Sequence, residues 1–555
     1  MIGNTRSDGS VSPAPGPAAG KTRAWLVVAA LLPGILLTFA DATAMSVAVP
    51  LIIRRLESTV ISVSWVMNGY NLVLAVLFLT MGRLADRYGH KRLFVIGLTL
   101  FTIASYACAR AGSIDQLIAF RVVQAVGAAA VIPTALVLLL DAFPASRQGF
   151  AAGLFGALSS AAAALGPVLG GVLIGRWGWP AIFWLNVPVG AVGIALTASF
   201  VRGRRKPQAD AKLDWAGVSL SSAGLFCLTL ALIEGNAWGW TSTSILGLFV
   251  AATALLAVFV AWELHTPSPL FDLRLFRDRT FAAASAAIMT VDIAMMGTAF
   301  MLVIFMIAMM DYSEMKAGLA VATIPAAGLL LAPFSGRLVD RFGPRPLAVA
   351  GALLSAAGLF ALGHLARTAP LPDVLWRSTL VGAGLGLSLP ALTAAGMSVV
   401  PGGVRGAGAG VLNTARQLGF LLGVAILVAV FAHTMGTAVN RSADEGQALT
   451  RTQAGISPAV KDSLVSALDQ ARTIDATAGM SEIRKVAHPI AEDIGADVGL
   501  IEGFVLLQLK DRLEELLWDE VSAAFRWPFY TAAVAALLGA LAGALLPRRL
   551  RRRGD

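Results

Sequence analysis

Charged residues are scarce in this sequence. Asp, Glu, Lys and Arg make up 14% of its 555 residues, whereas hydrophobic residues make up 57%, and the mean hydropathy is +0.74. Soluble globular proteins carry about 25% charged residues. The shortage of charge therefore excludes an ordinary soluble protein and indicates a chain that lies mostly in lipid.

Cysteine and histidine are also rare. The two cysteines, Cys108 and Cys227, lie inside apolar segments, and two are too few for a disulfide framework or a cysteine-ligated metal site. The five histidines are scattered and form no ligand cluster. The HExxH and GxSxG patterns of metalloproteases and hydrolases are missing too. We therefore predict no metal site, no cofactor and no enzymatic activity.

The formal net charge of +10 invites a comparison with nucleic-acid-binding proteins. The basic residues, however, lie between the apolar runs instead of along one stripe. This distribution is typical of membrane proteins, whose cytoplasmic loops are enriched in Lys and Arg, and not of a nucleic-acid-binding surface. We predict that the chain is surrounded by a lipid bilayer and has no nucleic-acid partner.

Fourteen apolar runs are long enough to cross a bilayer, which takes roughly 20 residues per helix. The predicted spans are 24–49, 60–81, 93–111, 114–140, 148–175, 180–201, 215–235, 243–263, 281–310, 316–334, 346–366, 374–399, 405–432 and 527–546. An even number of spans places both termini on one side, and the connections on that side carry most of the Lys and Arg. We therefore predict an all-α, polytopic protein of the cell's inner (plasma) membrane with both termini in the cytoplasm.

A ten-residue segment occurs twice in the chain. Residues 82–91 read GRLADRYGHK and residues 336–345 read GRLVDRFGPR, and each copy follows the second predicted helix of a six-helix group. Such a repeat indicates two homologous halves, as in secondary transporters, with the substrate site near the bilayer midplane between them. The offset between the copies exceeds six helices, which leaves two extra helices inserted between the halves.

The chain is accordingly divided into five parts. We predict a disordered cytoplasmic tail at 1–23, an N-terminal six-helix half at 24–201, a linker with two extra transmembrane helices at 202–265, a C-terminal six-helix half at 266–546 and a basic cytoplasmic tail at 547–555. Within the second half, residues 434–525 form a large extracytoplasmic loop. Its helical apolar spacing predicts a small cap that is either a spacer or a lid or partner-docking site.

The repeated segment has the properties of a gate between the halves. Its glycines permit close helix contact, and Asp86 can pair with a basic residue or cap the N-terminus of a neighbouring helix. The alternative is a basic turn that only sets the topology. The predicted gate residues are Gly82, Arg83, Asp86, Arg87, Gly89, Arg92, Gly336, Asp340 and Arg341.

Two opposite charges lie deep in predicted helices at similar depth. Asp41 is roughly 25 Å from the start of the first span, and Arg121 is about 10 Å below the far end of the fourth. An ionised carboxylate in hydrocarbon is costly unless it is paired or faces a wet cavity, so these side chains could meet. The pair either exchanges a proton for substrate or is a static link between two helices.

Two further carboxylates are candidates for coupling. Asp292 lies near the midplane of the ninth span among methionines, whose side chains adapt to varied apolar ligands. It is either a second carboxylate for a proton or a substrate cation, or a partner in an interhelical hydrogen bond. Glu234 lies close to a helix end, where an interfacial position competes with a coupling role.

The fifth span is rich in small residues. Gly153, Gly166, Gly170 and Gly171 allow neighbouring helices to approach closely, and Pro167 removes one backbone hydrogen bond. We predict that this helix forms a moving interface.

With these residues the sequence resembles the major facilitator superfamily, specifically its fourteen-helix drug:proton antiporters. The resembling segments are 82–92 between helices 2 and 3; Arg121, Gln124 and Gly127 in helix 4; 153–171 in helix 5; Asp41 to Thr43 with Val49 and Pro50 in helix 1; 177–179; 186–190; and 405–419 in helix 13. The resemblance implies the major facilitator fold, a part for Arg121 in proton coupling, and export instead of import.

Three positions depart from the family pattern. Ser46 stands in place of the usual Asn of helix 1, and Ala125 and Ala162 stand in place of the usual Gly of helices 4 and 5. All three residues are small, so the departures concern helix packing and the polar contacts of helix 1, not the family. The external loop is longer than the family's usual last loop, so no function is carried over to it.

One main functional hypothesis follows from the residues and the resemblance. We expect a proton-coupled antiporter that exports small lipophilic, often cationic compounds by alternating access, as in multidrug efflux, with the proton gradient as its energy source. One alternative is an exporter dedicated to a single endogenous metabolite, antibiotic or lipid. Another is a non-transporting receptor or scaffold whose acidic external loop binds a partner.

Overall fold

The computed structural model describes residues 17–58, 60–202, 214–266, 269–271, 273–471 and 500–549. Within these ranges the secondary structure is helical, and they contain no β-strand. The α-helices are α1 (Pro17–Arg55), α2 (Val60–Tyr88), α3 (His90–Ala109), α4 (Ile114–Ala142), α5 (Gln148–Trp177), α6 (Pro180–Phe200), α7 (Trp215–Trp238), α8 (Thr243–His265), α9 (Arg279–Ala308), α10 (Glu314–Phe342), α11 (Pro344–Gly363), α12 (Leu371–Ser398), α13 (Arg405–Thr452), α14 (Pro458–Ala471), α15 (Leu500–Ala524) and α16 (Arg526–Ala544).

Fourteen of the described segments are long and apolar enough to cross a membrane. They lie in α1 to α13 and in a segment formed by the end of α15 together with α16. The predicted all-α polytopic fold with fourteen transmembrane helices is therefore confirmed. Helices suit lipid because they satisfy their own backbone hydrogen bonds.

The helix ends follow from local chemistry. Gly89 separates α2 from α3 and Gly343 separates α10 from α11, with φ angles of 97° and 85° that favour glycine. At the starts of α4 and α10, the hydroxyl groups of Ser113 and Ser313 accept hydrogen bonds from backbone N–H groups of the first turn. We call the side of the α2–α3 and α10–α11 turns the basic end, and the opposite side the far end.

Several helices, among them α1, α2, α10 and α13, extend beyond the predicted spans. α1 begins at Pro17, inside the predicted tail, because proline is tolerated in the first turn of a helix. α13 runs without interruption from Arg405 to Thr452, beyond the predicted end at 432. Its added part buries Met435 and Ala438 on one face, so the apolar pattern continues, and no proline interrupts it.

The extension of α13 carries a helical cap. α14 and α15 pack against it, with Leu464 in a small apolar cluster between them. The hydroxyl group of Thr434 donates to the carbonyl oxygen of Ala524 at 3.1 Å, where α15 leads into α16. The predicted helical structure is thus present in the described parts of 434–525. Parts of the predicted tails, linker and loop lie outside the described residues, namely 1–16, 203–213, 472–499 and 550–555.

The helices pack as two bundles with a shared interface. α1 to α6 form the first bundle and α9 to α13 with α16 form the second, and the interface consists mainly of α5 against α10 and α2 against α13. α7 and α8 pack against each other, and α7 also packs against α2 and α13. The inserted pair of helices therefore borders the interface between the bundles.

A duplicated contact joins the bundles at the basic end. The two carboxylate oxygens of Asp86 accept hydrogen bonds from the backbone N–H groups of Gly406 and Ala407 at the start of α13, each at 2.8 Å. Asp340 accepts in the same way from two N–H groups at the start of α5, at 2.9 and 3.0 Å. Each aspartate therefore caps a helix of the opposite bundle, where the helix dipole favours a negative charge.

The first glycine of each repeat makes these caps possible. A Cβ atom at Gly82 would lie 2.8 Å from the carbonyl carbon of Gly406. A Cβ atom at Gly336 would lie 2.9 Å from the Cα atom of Phe150. Both distances are far below ordinary van der Waals contact, so only glycine permits this approach of the two backbones.

The basic residues of the repeat differ in what they contact. Arg337 lies over the ring of Phe150 of the opposite bundle, 5.2 Å from the ring centroid. The guanidinium groups of Arg87 and Arg341 each lie over the ring of the residue that follows, at 5.3 and 5.2 Å from the ring centroid. Arg83 is half-buried and Arg92 is exposed. Of the predicted gate residues, Asp86, Asp340, Gly82 and Gly336 therefore form the direct contact between the bundles, whereas a Cβ atom at Gly89 would have no described neighbour within 4 Å.

Two further links between the bundles were missed by the sequence analysis. Arg405 at the start of α13 forms an ion pair with Asp141 at the end of α4. Deeper in the membrane, the side-chain amide of Gln417 donates to Oδ1 of Asn71 on α2 at 3.2 Å. These links extend the contact from the basic end toward the middle of the membrane.

The bundles are less closely joined at the far end. Contacts of α5 with α10 continue from the basic end to Ser160, whose hydroxyl oxygen would lie 3.4 Å from a Cβ atom at Gly328. In the described parts of α1 and α9, the two helices share no extensive interface. The structure therefore shows a conformation that is closed at the basic end.

We predict that Asp86→Asn loosens the contact at the basic end. The change removes a negative charge and one acceptor from the cap of α13, and a hydrogen bond to a charged group contributes about 1.5–3 kcal/mol. A cysteine that replaces the buried Ala407, in a protein lacking Cys108 and Cys227, should then react with a maleimide about tenfold faster in detergent solution.

Asp115→Asn is the matched control for this experiment. Asp115 is exposed in the first turn of α4, away from the basic end, and undergoes the same chemical change. It should leave the labelling rate unchanged. Equal labelling rates in the Asp86→Asn variant and the parent protein would contradict the prediction.

Candidate functional site

Asp41 of α1 and Arg121 of α4 form a buried ion pair. A terminal guanidinium nitrogen of Arg121 donates to Oδ2 of Asp41, and the two residues are 2% and 1% exposed. α1 packs against α4 in the first bundle, which brings together two charges that are 80 residues apart in the sequence. The two side chains therefore meet, as their depths suggested.

Three polar side chains complete the surroundings of Asp41. Asn186 of α6 donates to Oδ1 at 2.9 Å, and Gln124 of α4 donates to the same oxygen at 3.4 Å. Ser105 of α3 accepts from both amides, at 2.7 Å from Gln124 and 3.3 Å from Asn186. Both carboxylate oxygens are therefore occupied. We call Asp41, Arg121, Gln124, Asn186 and Ser105 the Asp41 cluster.

The guanidinium group of Arg121 is enclosed on its remaining sides. Its Nε donates to the carbonyl oxygen of Val66 at 3.4 Å, and one terminal nitrogen donates to Gln124 at 2.6 Å. The group also lies 4.3 Å from the ring centroid of Tyr70 and 5.8 Å from that of Phe183, which adds cation–π attraction. The Asp41 cluster is thus closed to solvent in this conformation.

Local patterns in the sequence indicate only part of this cluster. Gln124 and Asn186 were included only through the family resemblance, and Ser105 was missed, as was Tyr70 beside Arg121. A serine inside a long apolar span is a signal, but serine often bonds to its own helix, as Ser105 also does with the carbonyl oxygen of Phe101 at 2.8 Å. Only the packing of α3 against α4 shows that this hydroxyl group also serves the cluster.

α5 packs directly against the segment of α1 that carries Asp41. Gly166 and Gly170 both lie against α1 around Ala44. Nearer the basic end, Gly153 lies against α10 of the other bundle. α5 therefore connects the helix of the buried carboxylate to the interface between the bundles.

The remaining two residues predicted for α5 are Gly171 and Pro167. A side chain at Gly171 would have no neighbour within 4 Å among the described atoms. Pro167 lies inside the helix, where its ring removes one backbone hydrogen bond. Packing thus excludes a side chain at Gly153 and Gly166, whereas a Cβ atom at Gly170 would make tight contacts of 3.2–3.4 Å with Ala44 and one at Gly171 would meet no described atom within 4 Å.

Asp292 belongs to a separate polar site in the second bundle. It lies on α9 and is 4% exposed, and its Oδ2 is 3.4 Å from Nε of Arg416 on α13. The Arg416 side chain is 30% exposed. Sequence analysis included Arg416 only within a resembling segment and assigned it no role, because nothing in the sequence indicates which carboxylate it faces.

Glu234 lies apart from both sites. It is near the C-terminal end of α7 and 8% exposed, and it forms no hydrogen bond or ion pair with the residues that the structure describes. Its neighbour Leu232 belongs to an apolar cluster with side chains of α2 and α13. The four residues predicted for coupling therefore occupy three different places.

Comparisons with known proteins agree with this architecture. A family model described as Major Facilitator Superfamily matches residues 31–424. The chain is 32% identical over 423 residues to the tetracenomycin C resistance and export protein of Streptomyces glaucescens, with 76% of this chain and 78% of that protein covered. It is 36% identical over 403 residues to the multidrug resistance protein Stp of Mycobacterium tuberculosis, with 72% and 74% covered.

Solved structures show the same fold. The human organic anion transporter MFSD10 aligns with a TM-score of 0.55 at 14% identity, covering 74% of this chain and 94% of that one. The proton:xylose symporter XylE aligns with a TM-score of 0.52 at 15% identity, covering 73% and 88%. The family match over most of the sequence, together with relatives above 30% identity, shows that this chain is a multi-pass transporter that belongs to the Major Facilitator Superfamily.

Proposed function

We propose that this chain is a proton-coupled antiporter that exports small lipophilic compounds by alternating access. The observation that carries the proposal is the Asp41 cluster, in which one arginine and two amides hold a carboxylate inside the membrane. Carboxylates at such depth are rare and are typical of proton pathways. Similarity to proteins named for export and multidrug resistance supports drug efflux as the process.

The cluster can exchange a proton only when its packing changes. Both oxygens of Asp41 accept hydrogen bonds, and 2% of the residue is exposed. A proton on Asp41 would leave the buried guanidinium group of Arg121 without its counter-ion, and breaking a buried pair costs about 3–5 kcal/mol. Protonation therefore favours another arrangement of α1, α4 and α6, as coupling requires.

α5 provides a path from the cluster to the interface between the bundles. Gly166 and Gly170 tie it to α1, and Gly153 ties it to α10. The start of α5 is also capped by Asp340 of the other bundle. A shift of α1 that follows protonation would move α5 and so change the contact between the bundles.

The duplicated contact at the basic end is the gate in this proposal. Asp86 and Asp340 hold the bundles together while the central site opens toward the far end, and both caps break when it opens toward the basic end. The Lys/Arg-rich connections favour a cytoplasmic basic end in the plasma membrane. The described conformation would then face the outside.

The cap formed by α14, α15 and the extension of α13 moves with the second bundle in this scheme. It packs mainly against α13, with contacts to α16, and its Trp518 ring lies 5.4 Å from the guanidinium group of Arg367 in the α11–α12 connection. This attachment supports a spacer role for the 434–525 loop, while docking of an extracytoplasmic partner is the second option. If the loop is a spacer, deleting 440–520 would change the transport rate without abolishing it. If the loop docks a partner on which function depends, the deletion would abolish function.

A second candidate is an exporter dedicated to one compound. It is favoured by the relative named for a single antibiotic, whereas the relative named for multidrug resistance favours a broad range. Mutual competition among unrelated dyes for transport would support multidrug efflux. Transport of one compound without such competition would support the dedicated exporter.

We predict that Asp41→Asn abolishes efflux driven by a pH gradient. Asparagine has a similar shape but cannot bind and release a proton, so the exchange on which coupling depends is lost. We would measure efflux of cationic, neutral and acidic fluorescent compounds with the purified Asp41→Asn variant in proteoliposomes. Efflux should not exceed that of empty liposomes.

Asp115→Asn, with the same chemical change at an exposed site, is the control and should retain efflux. Size-exclusion chromatography and thermal unfolding show whether both variants are folded. Undiminished gradient-driven efflux by folded Asp41→Asn protein would overturn the coupling role of Asp41.

We also predict that Gly166→Ala impairs transport while Gly171→Ala does not. A Cβ atom at Gly166 would lie 3.1 Å from the backbone nitrogen of Ala44 and closer still to Thr43, whereas one at Gly171 would have no neighbour within 4 Å in the described part of the chain. Overpacking of this kind costs about 1–3 kcal/mol. The melting temperature and the initial efflux rate should both fall for Gly166→Ala, and equal values for the two variants would contradict this prediction.

A further inference from the structure

Arg416 is a charged side chain in the middle of the membrane that is not fully enclosed. Counting 1.5 Å per residue from the start of α13 places it about 16 Å from the basic end, and its side chain is 30% exposed. A charge at this depth faces either the bundle interior or a water-filled cavity, because contact with hydrocarbon is costly.

The donors of Arg416 are largely unused. An arginine carries five N–H donors, and among the described residues Arg416 has one partner, Oδ2 of Asp292, at 3.4 Å from Nε. Oδ2 of Asp292 is buried and accepts no hydrogen bond from the described residues, so its contact with Arg416 is an ion pair only. With the residues that the structure describes, the two terminal nitrogens of Arg416 form no hydrogen bond. The fork of the guanidinium group is therefore free to bind another acceptor.

Arg416 lies at the seam between the two bundles. The next residue along α13, Gln417, bonds to Asn71 of the first bundle at 3.2 Å. On the other side of α13, Gly419 packs against α9 at Met289 and Asp292. Arg416 therefore stands between α2 and α9, where a substrate that enters between the bundles would pass.

The surface beside Arg416 is apolar and adaptable. Met289, Met295 and Met296 lie three or four residues from Asp292, hence on the same face of α9, and all three are half-buried. Methionine side chains adjust to ligands of different shapes. An apolar wall with a few polar groups that fix orientation is typical of small-molecule sites.

We propose that Arg416 binds an ionised acidic oxygen of the substrate, so that the exported compounds include lipophilic acids: apolar, aromatic bodies that carry a carboxylate, phenolate or enolate. The planar fork of arginine matches such oxygens and binds them through two parallel, charge-assisted hydrogen bonds. This inference rests on the proposed export function and names a substrate class for it.

Asp41 and Asp292, the carboxylates of the two polar sites inside the bundles, are poorly placed to attract a cationic substrate instead. Both oxygens of Asp41 are occupied within its closed cluster, and Asp292 is 4% exposed beside Arg416. In this conformation, the charged group that is accessible between the bundles at the depth of Arg416 is therefore the positive guanidinium group of Arg416. This differs from the expectation that the substrates are often cationic.

The test is a binding titration on the purified full-length protein in detergent. Binding is monitored through the intrinsic tryptophan fluorescence of the protein. The probes are three pairs of compounds with naphthalene, anthracene and xanthene rings, each pair consisting of a carboxylic acid and its methyl ester. The acids should bind about tenfold more tightly than the esters, as expected for one good charge-assisted interaction.

Two variants with opposite effects make the assignment specific. Arg416→Gln should reduce the ratio of acid to ester affinity to about one, since the charged fork is gone. Asp292→Asn should raise acid affinity further, because it removes the negative charge that competes for Arg416. Arg110→Gln, at an exposed arginine at the far end of α3, is the charge-matched control and should leave the ratio unchanged.

The inference is overturned if the esters bind as tightly as the acids, if no acid binds, or if folded Arg416→Gln protein keeps the acid preference. If that variant does not fold, Asp292→Asn decides, and unchanged or weaker acid binding overturns the inference. No pH gradient is used, so the result is independent of proton coupling. Gradient-driven efflux of other dyes without acid preference would support the proposed export function and contradict the acid-binding inference. Acid binding without any efflux would support the acid-binding inference and contradict the export function.

Discussion

The cost of a charge inside the membrane is the constraint on which the first bundle depends. Asp41 lies in that environment with Arg121 on one oxygen and Asn186 and Gln124 on the other. To supply these partners, α1, α4 and α6 must meet at one level, and Arg121 in turn needs acceptors and aromatic faces from its neighbours. In the proposed mechanism, a change of charge at this carboxylate cannot be absorbed by one side chain, and its burial would couple protonation to helix movement.

The interface between the bundles depends on a second constraint, the unpaired backbone N–H groups at helix N-termini. α5 and α13 both begin at this interface, and Asp340 and Asp86 satisfy their N–H groups from the opposite bundle. Gly82 and Gly336 allow the close approach that the caps need. Because water can hydrogen-bond to the same N–H groups when the contact opens, the arrangement suits reversible closure.

The two arginines inside the membrane differ in how their donors are used. Arg121 is 1% exposed and donates to a carboxylate, an amide and a carbonyl group. Within the described part of the chain, Arg416 has one partner, Asp292, at 3.4 Å, and its side chain is 30% exposed. The same residue type therefore serves two purposes: an arginine with satisfied donors organises its bundle, and one with free donors is available to a ligand. Residue type and depth do not separate these cases, whereas the contacts do.

The sequence by itself determined the number of transmembrane helices, the repeat and the depth of Asp41 and Arg121, because hydrophobic length and local motifs are properties of adjacent residues. The tertiary structure alone decided which groups meet. It brought Ser105 and Asn186 to Asp41, paired Asp292 with Arg416, and left Glu234 apart from both sites. It also showed that the repeat caps helices of the opposite bundle. These contacts join residues far apart in the chain, and their geometry follows from how the helices pack, which no local pattern records.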